Sequence, residues 1–186
     1  MLVCKRPNYF LAQWFNRWLL SVNVQKSAVV SFRSTRMKAF DFSVSLDGMS
    51  FPQVSAHKHL GVTFSDTLTW ENHIDAILSK GAQRIGLLRR YRKRLPSLAI
   101  RHFYCTSICP ALEYASVAWS GLSSTCAARL ERLQRRAARL ITGTGPRDHL
   151  DHDLLLARAG LTSLSSRRQV ELAVFAWKKV CLSEPA

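Results

Sequence analysis

A chain of 186 residues, 47% of them hydrophobic, is long enough for one ordinary core or two small ones and is not a low-complexity tail. Its 27 lysines and arginines against 12 aspartates and glutamates leave a net charge of +15. An excess of that size repels itself unless a partner relieves it, so the composition points to a polyanion, nucleic acid first and an anionic membrane second. The cations are clustered. No acid precedes Asp41, none lies between Asp75 and Glu113, and the stretch from Arg129 to Arg147 carries six arginines against Glu131, the pattern of a contact surface rather than a uniform coat.

Behind Pro7, the residues Leu11, Trp14, Phe15 and Trp18 fall on one face of a helix over 9–20, with Gln13, Asn16 and Arg17 opposite; an aromatic stripe of this kind is ordinarily core. Asn23 marks a turn, after which Val24, Ala28, Val30 and Phe32 alternate as a strand with Lys26 near its start. A basic connection follows over 33–38. Phe42, Val44 and Leu46 then alternate, Asp47-Gly48 makes a two-residue turn of the primed type, and Met49 and Phe51 return on the same face. Pro52 keeps that return short or at an edge. Leu60, Val62 and Phe64 alternate with Gly61, Thr63 and Ser65 as a half-buried strand, in which Gly61 leaves a bare patch open to another backbone or a ligand. Three or four strands thus form a small sheet with the first helix packed on it.

From Trp70 the apolar period changes from two to about 3.6 and the chain reads as helical to its end. Ile74, Ile77, Leu78, Ile85 and Leu88 line the first long helix, which finishes in the basic run Arg89 to Arg94. A helix C-terminus needs only one or two cations for its dipole, so the surplus is free for phosphates. Leu95-Pro96 breaks the helix; Leu98, Ile100, Phe103, Tyr104, Ile108 and Leu112 carry the next, kinked at Pro110. In a third helix Leu130, Leu133, Ala137, Leu140 and Ile141 share one face and five arginines share the other, a guanidinium rail facing out. A Gly143–Pro146 linker precedes two more helices, over 150–156 and 164–180, with Arg167, Arg168, Lys178 and Lys179 exposed.

The fold class is therefore α+β, a small antiparallel sheet with one packed helix followed by an α-helical bundle. It divides into an α/β unit over 1–66, a bundle over 67–145 and a helical extension over 146–186.

Three stretches resemble one family. KHLGVTFSDTLTWENHI resembles the strand-to-thumb segment of the reverse transcriptases of non-long-terminal-repeat, jockey-like retrotransposons. LSVNVQKSAVVSF is similar to the end of their palm, written GLxINxxKTxxxxF, with Ser27 for the threonine. HFYCTSICPALEYASVAW resembles their thumb pattern LYxSxIxPxLEYGxxxW. The resemblance covers about residues 9 to 142. It implies that the strand after His57 is a primer grip and that the helices beyond it are a thumb. It also sets Lys26 at the position of a lysine to which the family assigns protonation of the leaving pyrophosphate; on its own residues, Lys26 is equally a solvated lysine at a strand end.

The same resemblance puts His57, Lys58, His59 and Gly61 near the primer strand. Along the duplex it sets the basic residues Arg89, Arg90, Arg92, Lys93 and Arg94, with Arg129, Arg132, Arg135, Arg136 and Arg139.

Nucleotidyl transfer on two magnesium ions needs carboxylates fixed close together. In this family the pair lies just upstream of the helix that Tyr9 begins here, while Asp41, Asp47 and Asp66 are scattered among turns. The expectation is a piece without catalysis of its own, needing no cofactor, with magnesium required only in the intact enzyme. No phosphate-binding glycine loop, GxSxG or oriented Cys/His pair offers other chemistry. Cys4, Cys105, Cys109, Cys126 and Cys181 are odd in number and lack zinc spacing, so they read as reduced thiols, with Cys105 and Cys109 as small buried hydrophobes. His57/His59 and His149/His152 lack metal-ligand partners at convincing spacing. No secretory signal is visible at the start, and Glu113, Pro110 and many hydroxyls argue against a membrane span over 103–128.

The expected partner is a template–primer RNA/DNA or DNA duplex, bound by shape and backbone without sequence specificity. Two rivals stand beside it: an accessory chain completing a split polymerase whose upstream half carries the aspartates, and a basic amphipathic module for a membrane or protein.

Overall fold

The computed structural model describes residues 7–38, 43–46, 48–145 and 148–182; the expectations made for Cys4, Asp41, Phe42, Asp47, Pro146 and Arg147 lie outside them. The chain divides into two compact units, the first ending at Thr69 and the second beginning at Trp70.

In the first unit, α1 (Pro7–Arg17) starts at a proline whose fixed φ suits the first helical position, and it runs beside the first strand, β1 (Val44–Leu46). Its aromatic stripe is not core: Leu11, Trp14 and Trp18 are at least half exposed and Phe15 is half-buried, and the Trp14 ring contacts Phe15 and Trp18 of the same helical stretch. The strand expected over 24–32 is a one-turn 3-10 helix at Val24–Lys26, capped by Asn23, followed by a single parallel bridge from Val29 to Gln53. Asn23 accepts a hydrogen bond from the Lys26 N–H, a local turn that competes with ladder pairing.

The hairpin of β1 and β2 (Met49–Phe51) has the anticipated register, Val44 opposite Phe51 and Leu46 opposite Met49, with Gly48 at φ 76° in the turn. The stretch from His57 to Ser65 departs from its sequence reading. It is not one strand but a second hairpin, β3 (Ala56–His59) and β4 (Val62–Ser65), closed by Leu60-Gly61. Both turn residues have positive φ, 45° at Leu60 and 87° at Gly61, which is the requirement of a two-residue type I′ turn. Gly61 meets it freely; Leu60 is strained there and 77% exposed. The alternation of Leu60 with Val62 and Phe64 misled because a two-residue turn preserves the period of two. The two hairpins remain separate sheets. The chain over 29–33 runs between them, Val29 hydrogen-bonded to Pro52 and Val54, and Arg33 to Asp66.

The second unit is helical. α2 (Glu71–Tyr91) buries His73, Ile74, Gly81, Ile85 and Leu88. A Cβ on Gly81 would stand 2.6 Å from Leu133 Cδ2 and 3.3 Å from Leu112 Cδ2, so the bare glycine is what lets α2 approach its neighbours so closely. After Pro96, α3 (Ser97–Phe103) passes into a π-helical turn at Tyr104–Ile108 and then α4 (Cys109–Glu113). The kink expected at Pro110 is this widened turn: a proline has no N–H to give and clashes with the carbonyl four residues back, so the helix opens just before it. Ile100, Tyr104, Ile108 and Leu112 are buried, whereas Leu98 is 74% exposed and does not join them.

α5 (Ser124–Thr142) is set by two ends that the sequence supplies. The Ser123 hydroxyl accepts from the Cys126 N–H, and Gly143 closes the helix at φ 77°. Its buried face packs against α2, α3 and α6 (His152–Ala159), and α7 (Leu164–Leu182) packs on α5 as well. Gln134 is buried in that face; it donates to the Thr162 carbonyl at 2.9 Å and accepts from the Leu164 N–H, and so holds the start of α7. Cys109 and Cys126 are buried as small hydrophobes, while Cys105 is exposed. No helix is long and apolar enough to cross a membrane among the described residues.

Candidate nucleic-acid interface

The arginines of α5 divide by what lies beside them. Arg132 and Arg136, one turn apart, are exposed. Arg129 and Arg135 sit nearer the packed face and are engaged by the adjoining helices, Arg129 in an ion pair with Asp75 of α2 and Arg135 donating from Nε to Nδ1 of His152 on α6 at 3.3 Å. The Arg129 guanidinium holds its proton more tightly than usual because of the Asp75 hydrogen bond. Arg139 is half-buried, its Nε without a partner among the described residues. The five-membered outward rail is thus corrected to two guanidiniums without an ion pair among the described residues, Arg132 and Arg136: Arg129 is engaged by Asp75 of α2 in a pair that is still solvent-exposed, Arg135 by His152 of α6, and Arg139 is half-buried. Arg129, Arg132 and Arg136 rim a recess of about 180 Å³ whose floor is Leu78, Ala82 and Leu133.

The basic corner closing α2 is open. Arg89, Arg90, Arg92, Lys93 and Arg94 are all exposed and make no ion pair among the described residues. The Arg92 guanidinium reaches across to α5, where Nη2 lies 3.2 Å from the position a Cβ on Gly143 would take.

In the first unit the β3–β4 register sorts the hairpin residues. His57 faces Phe64 and His59 faces Val62, while Lys58 pairs with Thr63, so the two histidines lie on one face of the sheet and Lys58 on the other. Lys58, His59 and Gly61 are exposed and His57 is half-buried. Lys26 is exposed in the 3-10 turn rather than at a strand end.

A buried polar cluster escaped the sequence reading. Glu113 accepts a two-pronged pair from Arg167, through Nε and through Nη2 at 2.8 Å. The Ser116 hydroxyl bonds to Glu171, Trp119 Nε1 donates to the Tyr114 carbonyl at 3.0 Å, and Arg168 lies 5.9 Å over the Trp119 ring. Arg168, expected in solvent, is buried, and burial makes its guanidinium easier to deprotonate; Arg167 holds its proton more firmly through the Glu113 hydrogen bond. The signal was present in the LEYASVAW stretch, whose Glu and Trp are the two groups α7 docks on. Burial, and then Glu113, push the Cys109 thiol up to about 12, so it stays protonated and unreactive at neutral pH.

Among the described residues no three His, Cys, Asp or Glu side chains gather to hold a metal ion. Asp66 is paired with Arg33 at 3.0 Å. The arrangement is thus suited to binding an anion, with free guanidinium and ammonium groups on a helical scaffold.

Comparison with known proteins gives three relatives from Drosophila melanogaster. A probable RNA-directed DNA polymerase from transposon BS is 30% identical over 135 residues, 71% of this chain. A probable RNA-directed DNA polymerase from transposon X-element is 27% identical over 138 residues, 73% of this chain, and the RNA-directed DNA polymerase from mobile element jockey is 27% identical over 135 residues, 70% of this chain. The chain spans about 15% of the length of these relatives. No family model and no solved structure matches it.

Proposed function

We propose, from the homology of this chain to part of the reverse transcriptases of non-long-terminal-repeat retrotransposons, that it is their primer-grip and thumb portion and holds a template–primer duplex through its phosphates. The observation that carries the reading is the set of exposed cations on the helical unit that make no ion pair among the described residues, Arg132 and Arg136 on α5 and the basic residues of 89–94 at the end of α2. Each guanidinium set against a phosphate releases condensed counterions, so affinity falls steeply with salt and is indifferent to base sequence. Arg129 and Arg135, already engaged by Asp75 and His152, contribute less.

In this reading the chain does no nucleotidyl transfer by itself; the metal-binding carboxylates come from elsewhere in a longer polymerase, and Lys26 acts only beside them. The test is binding of a labelled RNA/DNA hybrid across a salt series. Replacing Arg132 and Arg136 together by alanine should weaken binding and make the salt dependence shallower by about two ions. Binding that ignores both substitutions refutes the interface, and primer extension by the chain alone refutes the absence of catalysis.

A further inference from the structure

Three helix ends meet on the second unit: the start of α3 at Ser97, the end of α5 at Thr142 and the end of α6 at Ala159. Together they enclose an open cleft of about 590 Å³. Its polar walls are Ser97, Arg101, Thr142, Thr144 and Arg158, and no carboxylate lines it. Arg101 is held in place, donating from Nη2 to the Gly160 carbonyl at 3.0 Å. A Cβ at Gly160 would come within 3.0 Å of its Nε, so a glycine there, at φ 63°, leaves the guanidinium room. Arg158 is exposed and makes no ion pair among the described residues. The Thr142 and Thr144 hydroxyls lie 2.6 Å apart. The Thr142 hydroxyl donates to the Ala138 carbonyl at 3.0 Å and so takes the Thr144 proton, which leaves one anchored guanidinium and one without an ion pair among the described residues as the donors for a tetrahedral oxyanion.

Arg92 of the basic corner comes close to the α5 end of the cleft. Gly143, against which Arg92 Nη2 rests, is the residue between Thr142 and Thr144. The exposed Leu98 on its wall offers apolar contact of the kind a sugar or base can use. No broad apolar face adjoins it among the lining residues, as insertion into a lipid surface requires.

We infer that this cleft seats a phosphodiester group of the nucleic-acid strand that passes the Arg89–Arg94 corner, with Arg101 and Arg158 as its ligands. The inference rests on the duplex-holding reading and adds to it a site on another part of the bundle from Arg132 and Arg136.

The experiment uses the whole chain, a labelled RNA/DNA hybrid and stepped salt, with vesicles containing an anionic phospholipid as a second arm. Arg158→Ala should weaken hybrid binding about three- to tenfold and lower the salt slope by about one, and Arg158→Lys should restore the slope. Arg158 makes no ion pair through its head group among the described residues, so the melting temperature should stay at its parent value; Arg158→Glu should weaken binding further than alanine. If Arg158→Ala and Arg158→Glu leave affinity and slope unchanged while the Arg132/Arg136 double variant lowers both, the cleft is refuted and the duplex-holding reading stands. If the parent chain binds no hybrid at all, both fall. Loss confined to the vesicle arm makes the cleft a lipid-headgroup site and overturns the inference.

Discussion

The two units of this protein differ in how far their apolar residues find partners. In the first, Leu46 and Val62 are the buried hydrophobic residues among those described, while Phe10, Trp14, Trp18 and Phe32 stand at least half in solvent. In the second, Tyr104, Leu112, Trp119, Leu130, Leu155 and Leu164 are all fully buried. The sequence has comparable apolar periodicity in both, so periodicity is not what separates them. Strands of three and four residues in isolated pairs have little face to cover, and a two-stranded hairpin is marginal by itself. Helices of 19 and 21 residues, brought close by Gly81, share a long seam. The same holds for charge on α5: Arg129 and Arg135 beside a seam are engaged by Asp75 and His152, while Arg132 and Arg136 away from it make no ion pair among the described residues.

The sharpest way to break this contrast is Trp119→Ala. Removing a fully buried indole that also carries Arg168 and touches His73 should cost about 3–5 kcal/mol, read as a shift in the urea midpoint. A loss below about 1 kcal/mol would mean that the second unit is no better packed than the first.

Next comes the Glu113–Arg167 pair, where the two ends should differ. Arg167→Ala leaves a carboxylate of 7% exposure without its partner and should cost about 2–3 kcal/mol. Glu113→Gln leaves a guanidinium that is already 45% exposed and should cost about half as much. Equal losses would show that the pair is as solvated as a surface bridge.

The third test uses pH. The Cys109 thiol titrates near 9 when unfolded and is pushed to about 12 by burial in the fold. The folded state therefore keeps a proton that the unfolded chain gives up. Stability is fully present below pH 9 and drains away between pH 9 and 12, by about 1 kcal/mol at pH 10 for this group. Burial raises the Tyr104 phenol in the same direction. Cys109→Ala should flatten the alkaline fall in the denaturation midpoint; an unchanged profile would assign the fall to other groups.

The smallest effects concern strained backbone in each unit. Ala115 has φ 53° and Leu60 has φ 45°. Ala115→Gly and Leu60→Asn should each stabilise locally by about 0.5–1 kcal/mol. The first is read in the melting temperature, the second in slower amide exchange across β3 and β4. The resembled thumb pattern has glycine at the position of Ala115, directly after Leu-Glu-Tyr, which agrees with a left-handed residue there.

Much of the helical unit was legible beforehand because its cues are local. Gly143 opens the linker that ends α5, and Ile74, Ile85 and Leu88 recur at the spacing of one helical face. The β1–β2 hairpin was legible for the same reason. The second hairpin was not, since Leu60 gives no turn signal of its own and the period of two runs through the turn unbroken. Arg168 read as a surface cation because nothing in its neighbourhood reveals that Trp119, 49 residues away in sequence, will lie beneath it.

What the sequence determined by itself was the strong positive charge, the helical periods, and the kinship with mobile-element polymerases, because composition and short-range spacing are properties of the chain in any conformation. Which cations remain free was decided only in three dimensions. A guanidinium on a helix is available or spent according to which acid, ring or carbonyl a distant segment brings within about 3 to 6 Å of it, and no local pattern encodes that neighbour.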